Sequence, residues 1–169
     1  MPWRQSTAGG FAVTIDELLA IEEIRTLRLE YSACFDHQDL DALMALFTDD
    51  AVCDFGSYGT WSGVATIRRN YKENMGYVGS EFDSIHVVTN PLIRLTGPTS
   101  AHGRWYLLDL LTRQKPVTSL ETRGGHDNPL LWLGIYEDDY RKVGDSWKIA
   151  YCKLSFLWPT RSYEALRHA

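Results

Sequence analysis

The apolar residues of this chain change period once, from helical to twofold near Phe82, and that single switch constrains the fold more than any other feature. Beyond it the alternation predicts four long strands, Phe82 to Leu95, Ser100 to Thr112, Leu130 to Val143 and Ser146 to Trp158, with Gly97-Pro98 and Gly144-Asp145 as turns. Before it lie helices. Helices first and a long sheet afterwards predict an α+β domain, a curved antiparallel sheet with the helices packed on its concave face.

Thr14-Ile-Asp-Glu17 has the spacing of a capping box, so the first helix should begin near Ile15. It should run to Cys34 or Phe35 on an apolar face of Ile21, Ile24, Leu27, Leu29, Tyr31, Cys34 and Phe35. Asp39 caps a second helix over Leu40 to Phe47, and Thr48-Asp-Asp50 ends it before a strand from Ala51 to Phe55. Residues 56–63 read as a loop, after which Ser62 can cap a third helix from Val64 to Asn74. Asp36 stands out in this frame. It lies where a helix ends against apolar surroundings, and Asp39 is the better cap for the second helix.

With 169 residues and 44% apolar content the chain can fill one core, and a single domain over residues 14–158 is expected, with a flexible arm at 1–13 and a tail at 159–169. A net charge of -5 with scattered basic residues leaves no electrostatic footprint for nucleic acid or an anionic membrane. The first ten residues lack a secretion signal, and no segment approaches the ~18 apolar residues of a membrane span, so a soluble cytoplasmic protein is expected. Cys34, Cys53 and Cys152, each flanked by apolar residues, read as buried reduced thiols. Six Trp and nine Tyr point to a roomy aromatic-walled pocket or to an adhesive oligomer surface, to which Trp3, Trp61 and Trp158 would contribute. The polar segment 114–129 is long enough for a lid.

Ionisable residues on the apolar side of a strand mark candidate sites. In the second long strand Asp109 shares a face with Gly103, Trp105, Leu107 and Leu111, where a carboxylate must be paired, hydrogen-bonded or protonated. In the last strand, alternation from Trp147 through Ile149 and Tyr151 places Lys153 at the end of an aromatic row, unless it snorkels to water. His86 shares its face with Val88 and is flanked by Ile85 and Val87, so both sides look partly buried. A histidine so placed is either a satisfied core residue or a base. Tyr31, five residues before Asp36, is either core packing or a hydroxyl at the same pocket end. No pair of residues has metal-site spacing, and no metal is expected.

The run Tyr31-x4-Asp36-x2-Asp39-Leu-Asp-Ala-Leu-x2-Leu-Phe47-x-Asp-Asp-Ala, an isolated strand histidine and the final Tyr140-Arg-Lys-Val-Gly-Asp-Ser-Trp-Lys-Ile resemble the SnoaL-like branch of the NTF2-like superfamily, in particular its scytalone dehydratase and bile acid 7α-dehydratase members. The resemblance spans about residues 14 to 157. It implies a cone-shaped α+β barrel around an internal pocket, and a lyase that needs no cofactor. It also implies catalytic roles for four residues. Asp36 and His86 would form a proton-abstracting dyad, Asp109 would orient the histidine or the substrate, and Tyr31 or Tyr58 would polarise a carbonyl or protonate a departing hydroxide. Phe55, Tyr58, Trp105, Tyr151 and Lys153 would touch the substrate. Phe55 stands where relatives can carry a tyrosine, and Lys153 where some carry arginine, which removes bidentate recognition there. The implied substrate is a cyclic, mainly apolar small molecule, and the implied assembly a homo-oligomer, dimer or trimer, that covers the convex side of the sheet. An isomerase or polyketide cyclase with the same dyad, or a non-catalytic structural subunit, is the alternative.

Overall fold

The structure, a computed structural model, describes residues 13–74, 84–111 and 130–158. Most of the expected arm, the 114–129 segment, the tail and Trp3 lie outside the described residues. The first helix, α1, spans Ile15–Asp36. Its capping box is formed, with Glu17 N donating to Thr14 Oγ1 at 3.2 Å and Thr14 N to Glu17 Oε2 at 2.8 Å. At the other end His37 N bonds Ala33 O and Gln38 takes a positive φ of 58°, which turns the chain into α2, Leu40–Ala45, capped by Asp39. Leu29 faces out from α1, opposite the core side that Ile24, Leu27, Tyr31 and Phe35 occupy.

The helical pattern of Leu43, Leu46 and Phe47 continues two residues further than the helix does. Strand β1, Phe47–Asp54, takes over because Phe47 pairs with Ile149 and buries its ring, while Leu46 O accepts from Ile149 N at 2.9 Å. Strand pairing here overrides local periodicity. The expected loop at 56–63 holds a 3-10 turn over Gly56–Tyr58 and a short strand β2, Thr60–Ser62. There Trp61 pairs with Cys53 and is buried, so it offers no surface. Helix α3, Val64–Asn74, buries Ile67 and Tyr71.

Strands β3 (Ser84–Gly97), β4 (Ser100–Leu111), β5 (Leu130–Val143) and β6 (Ser146–Trp158) follow the alternation closely at their ends. The curved, unclosed sheet has the order β2-β1-β6-β5-β4-β3. It is mixed and not purely antiparallel, because β1 runs parallel to β6. Alternation specifies which face a side chain takes and carries no information on strand direction, which explains the difference.

Two irregularities reassign side chains. In β6 Tyr140 pairs with Ile149 but Asp139 with Tyr151, so Ala150 is an extra, unpaired residue. Trp147 and Ile149 point into the core as expected, and beyond the bulge Cys152 and Leu154 do, which turns Tyr151 and Lys153 to the opposite face. The slip flips the side chains from Tyr151 to Phe156. In β3 the register shifts between Thr89 and Leu92, with Asn90 at a φ of 51°. Ile85 and Val87 are 45% and 42% exposed, so only the face of His86 itself is covered. Cys53 and Cys152, register partners on β1 and β6, are buried free thiols, whereas Cys34 is half-buried. Among the described residues no helix is long and apolar enough to cross a membrane.

Candidate active site

Asp36 is the last residue of α1, and among the described residues β3 lies on the sheet edge with only β4 beside it. The backbone N–H of His86 donates to both Asp36 carboxylate oxygens at 3.1 Å. The imidazole Nδ1 sits 2.7 Å from Asp36 Oδ1. Asp36 therefore does have a structural task, since it satisfies an edge-strand amide that no strand among the described residues reaches. It also fixes the ring. A carboxylate accepts and cannot donate, so the contact assigns the proton to Nδ1 and leaves the Nε2 lone pair facing away from Asp36.

Nε2 lies 3.5 Å from Oδ2 of Asp109, which pairs with His86 across β3 and β4. That separation is too long for a good hydrogen bond, so Nε2 is still available. Asp109 is buried, and its Oδ1 has no hydrogen-bond partner among the described residues. Burial raises its pKa, His86 and a hydrogen bond from Ser84 pull it back, and the Asp36 charge adds to the rise. The sign of the linked stability is set by that rise. A carboxyl with a raised pKa contributes fully below its unfolded value and loses that contribution as pH climbs through the folded value. Asp109→Asn is therefore expected to be more stable than the wild type at neutral pH, with the gap closing toward about pH 4, in denaturation curves taken across that range.

The lone pair opens onto a cavity walled mainly by rings. Tyr31, Phe35, Phe55, Tyr58, Tyr71, Trp132, Tyr136 and Phe156 line it, together with His86, Leu107, Asp109 and Leu154. Phe35 packs on the imidazole, ring centroids 4.3 Å apart. Tyr31 and Tyr71 share a hydrogen bond of 2.6 Å between their hydroxyls, and burial raises the pKa of both. The unfilled space is about 370 Å³ if the open funnel is counted, but water-sized room inside is only about 20 Å³. The smaller figure describes the enclosed part. It holds one or two waters, so a ring-sized guest must displace side chains, and the more exposed cluster of Tyr58, Trp132 and Phe156 is the part able to yield. The pocket is aromatic as expected, but it is tight and not roomy.

Of the expected residues, Tyr31, Phe55, Tyr58, His86 and Asp109 line this cavity, and Asp36 stands behind His86. Trp105 lies deeper, with its indole N–H donating to Tyr140 OH at 3.0 Å, and does not line it. Tyr151 and Lys153 do not line it either, because the bulge at Ala150 has turned them away. Lys153→Met is accordingly expected to leave turnover within about twofold of wild type in steady-state assays.

Tyr71, Tyr136 and Trp132 are pocket residues that sequence reasoning did not single out. Tyr71 follows Ile67 by four residues on the buried side of α3, and Tyr136 and Trp132 share the inward alternation of β5. The same alternation carries Asp138, an ionisable residue on an apolar face. Asp138 and Arg28 of α1 are fully buried, 3.4 Å apart. The guanidinium carbon lies 3.6 Å and 4.2 Å from the ring centroids of Tyr136 and Tyr31. Tyr140 OH donates to Asp138 Oδ2 at 2.7 Å. A charged layer thus supports the pocket floor. Among the described residues no group of three or more His, Cys, Asp or Glu is placed to hold a metal ion.

Residues 16–153 match the family model of the SnoaL-like domain. Among solved structures, the chain resembles a scytalone dehydratase candidate from Novosphingobium aromaticivorans DSM 12444, at 20% identity and a TM-score of 0.68 over 83% of this chain and 86% of that one. It also resembles hexachlorocyclohexane dehydrochlorinase LinA-type3 from Novosphingobium barchaimii LL02, at 17% identity and a TM-score of 0.67 over 88% and 94%. A third similar structure, from Mycobacterium tuberculosis, is of a protein of unknown function, at 22% identity and a TM-score of 0.69 over 95% and 83%. At these identities the likeness is one of fold.

Proposed function

Because the chain belongs to the SnoaL-like domain family, we propose that it is a cofactor-independent lyase of the dehydratase type that removes a carbon-bound proton from a cyclic, largely apolar small molecule. The observation that carries this reading is the aim of His86 Nε2, free of Asp36 and directed into a ring-lined cavity beside a buried carboxyl. Such a nitrogen has the lone pair that a general base needs. In the proposed step Nε2 takes a proton from carbon next to a carbonyl, and the C–H electrons pass into the carbonyl as an enolate. Collapse of the enolate forms the carbon–carbon double bond and expels hydroxide, which leaves as water with a proton from Asp109. The imidazolium then returns its proton to Asp109 across the 3.5 Å gap, and the site is restored.

The remaining tasks divide among the neighbours. In this reading Asp36 holds the tautomer and stabilises the imidazolium, and the hydrogen-bonded pair of Tyr31 and Tyr71 would offer its one remaining hydroxyl proton to the carbonyl oxygen. Tyr71 would supply from α3 the hydroxyl that Phe55 lacks. Relatives bearing dehydratase and dehydrochlorinase names have this fold, which supports the reaction class but not the substrate.

The test uses a bicyclic β-hydroxy ketone in deuterated water, followed by proton NMR. The lyase reading expects loss of water with formation of the conjugated enone, and deuterium at the α carbon of recovered substrate. Deuterium uptake or migration of a double bond without water release would assign an isomerase instead. If His86→Ala turned the ketone over as fast as wild type, the dyad reading would be lost.

A further inference from the structure

Helix α1 is apolar on two opposite sides. One side fills the core, and at 100° per residue Ile15, Leu18 and Leu29 fall on the other, 76%, 55% and 50% exposed, with Leu19 at its margin 58% exposed. A helix apolar all round is normally buried all round. Nothing among the described residues covers this outer stripe. In its middle Glu22 and Arg25 form an ion pair at 2.7 Å, with side chains 62% and 42% exposed.

The order Leu18, Glu22, Arg25, Leu29 advances by four, three and four residues, which is the seam of a coiled-coil helix. It is also self-complementary when reversed. Laid antiparallel on a second α1 about a two-fold axis between residues 23 and 24, Leu18 meets Leu29 of the other copy and Glu22 meets its Arg25, and the same contacts recur by symmetry. A parallel arrangement would place Glu22 on Glu22 and Arg25 on Arg25, with like charges opposed. The convex sheet face is a separate surface, with Ile85, Val87 and Leu92 exposed along its β3 edge.

We propose that the outer stripe of α1 is the docking surface for a second copy of this chain, held antiparallel by Leu18–Leu29 contacts and reciprocal Glu22–Arg25 pairs. The contact is one helix long, so the dimer is of moderate affinity and depends on concentration. It is independent of the chemistry proposed for the pocket.

Sedimentation of the full chain tests it with two charge swaps, Glu22→Arg and Arg25→Glu, each checked for native circular dichroism. Wild type is expected to approach twice the 19.3 kDa chain mass at tens of micromolar. Each swap alone opposes like charges across the axis and is expected to raise the dimer Kd at least about tenfold. Mixing the two swapped proteins makes every cross pair attractive again, and the dimer should return. Three results would overturn the proposal: a wild type that stays monomeric, swaps that associate as wild type does, or association abolished by deleting residues 1–12 yet indifferent to both swaps. The last would assign the association to residues 1–12 and not to the stripe.

Discussion

His86→Ala is expected to lower kcat/KM by about 10³-fold, within the 10²–10⁴ that a positioned general base contributes, which corresponds to about 4 kcal/mol of transition-state stabilisation. The fold should tolerate the change, because the Asp36 contacts to the residue 86 backbone N–H do not involve the imidazole. Asp36→Asn separates the two tasks of that residue. The amide keeps an oxygen for the β3 amide but gains donors that cannot favour an imidazolium, so stability should stay close to wild type while kcat falls about 10²-fold.

The largest effect on stability is expected one layer beneath the pocket. Arg28→Ala removes one member of a fully buried ion pair and leaves Asp138 charged in the core, at a cost of about 3–5 kcal/mol. For a domain of this size that is a drop in Tm of roughly 10 °C. Burial already raises the Asp138 pKa, against the downward pull of Arg28 and of the hydrogen bond from Tyr140, so removing the arginine takes away a main compensation. Arg28→Met combined with Asp138→Leu should recover most of the loss, since a pair of apolar groups of similar volume leaves no unpaired charge. Calorimetry of the two single variants and the double variant closes the cycle. If Arg28→Ala melted within 2 °C of wild type, roughly half a kcal/mol at this size, the ion pair would not be supporting the core.

How much of the site the sequence revealed depends on how local its signals were. Asp109 was legible because strand alternation put a carboxylate among Leu and Trp, and the structure keeps it on that face. His86 and Asp36 were visible one at a time, but their 2.7 Å contact joins a helix end to an edge strand 50 positions away, which no local pattern encodes. Lys153 and Tyr151 were misplaced for the opposite reason. Unbroken alternation would set both on the inner face, and the single extra residue at Ala150 turns them to the other. Arg28 looked like an ordinary charged position on a helix, and only its placement between the rings of Tyr31 and Tyr136 shows otherwise.

Local sequence was enough to set the order of helices and strands, the capped start of α1 at Thr14, the alternation of β4 and the α+β class. Each of these depends on residues within a few positions of one another, where propensity and period act directly. Long-range packing had to supply the parallel pairing of β1 with β6, the bulge in β6, the tightness of the ring-lined cavity and the meeting of Asp36, His86 and Asp109. These are set by which distant surfaces fit together, and the free energy that selects among such fits is spread over the whole core.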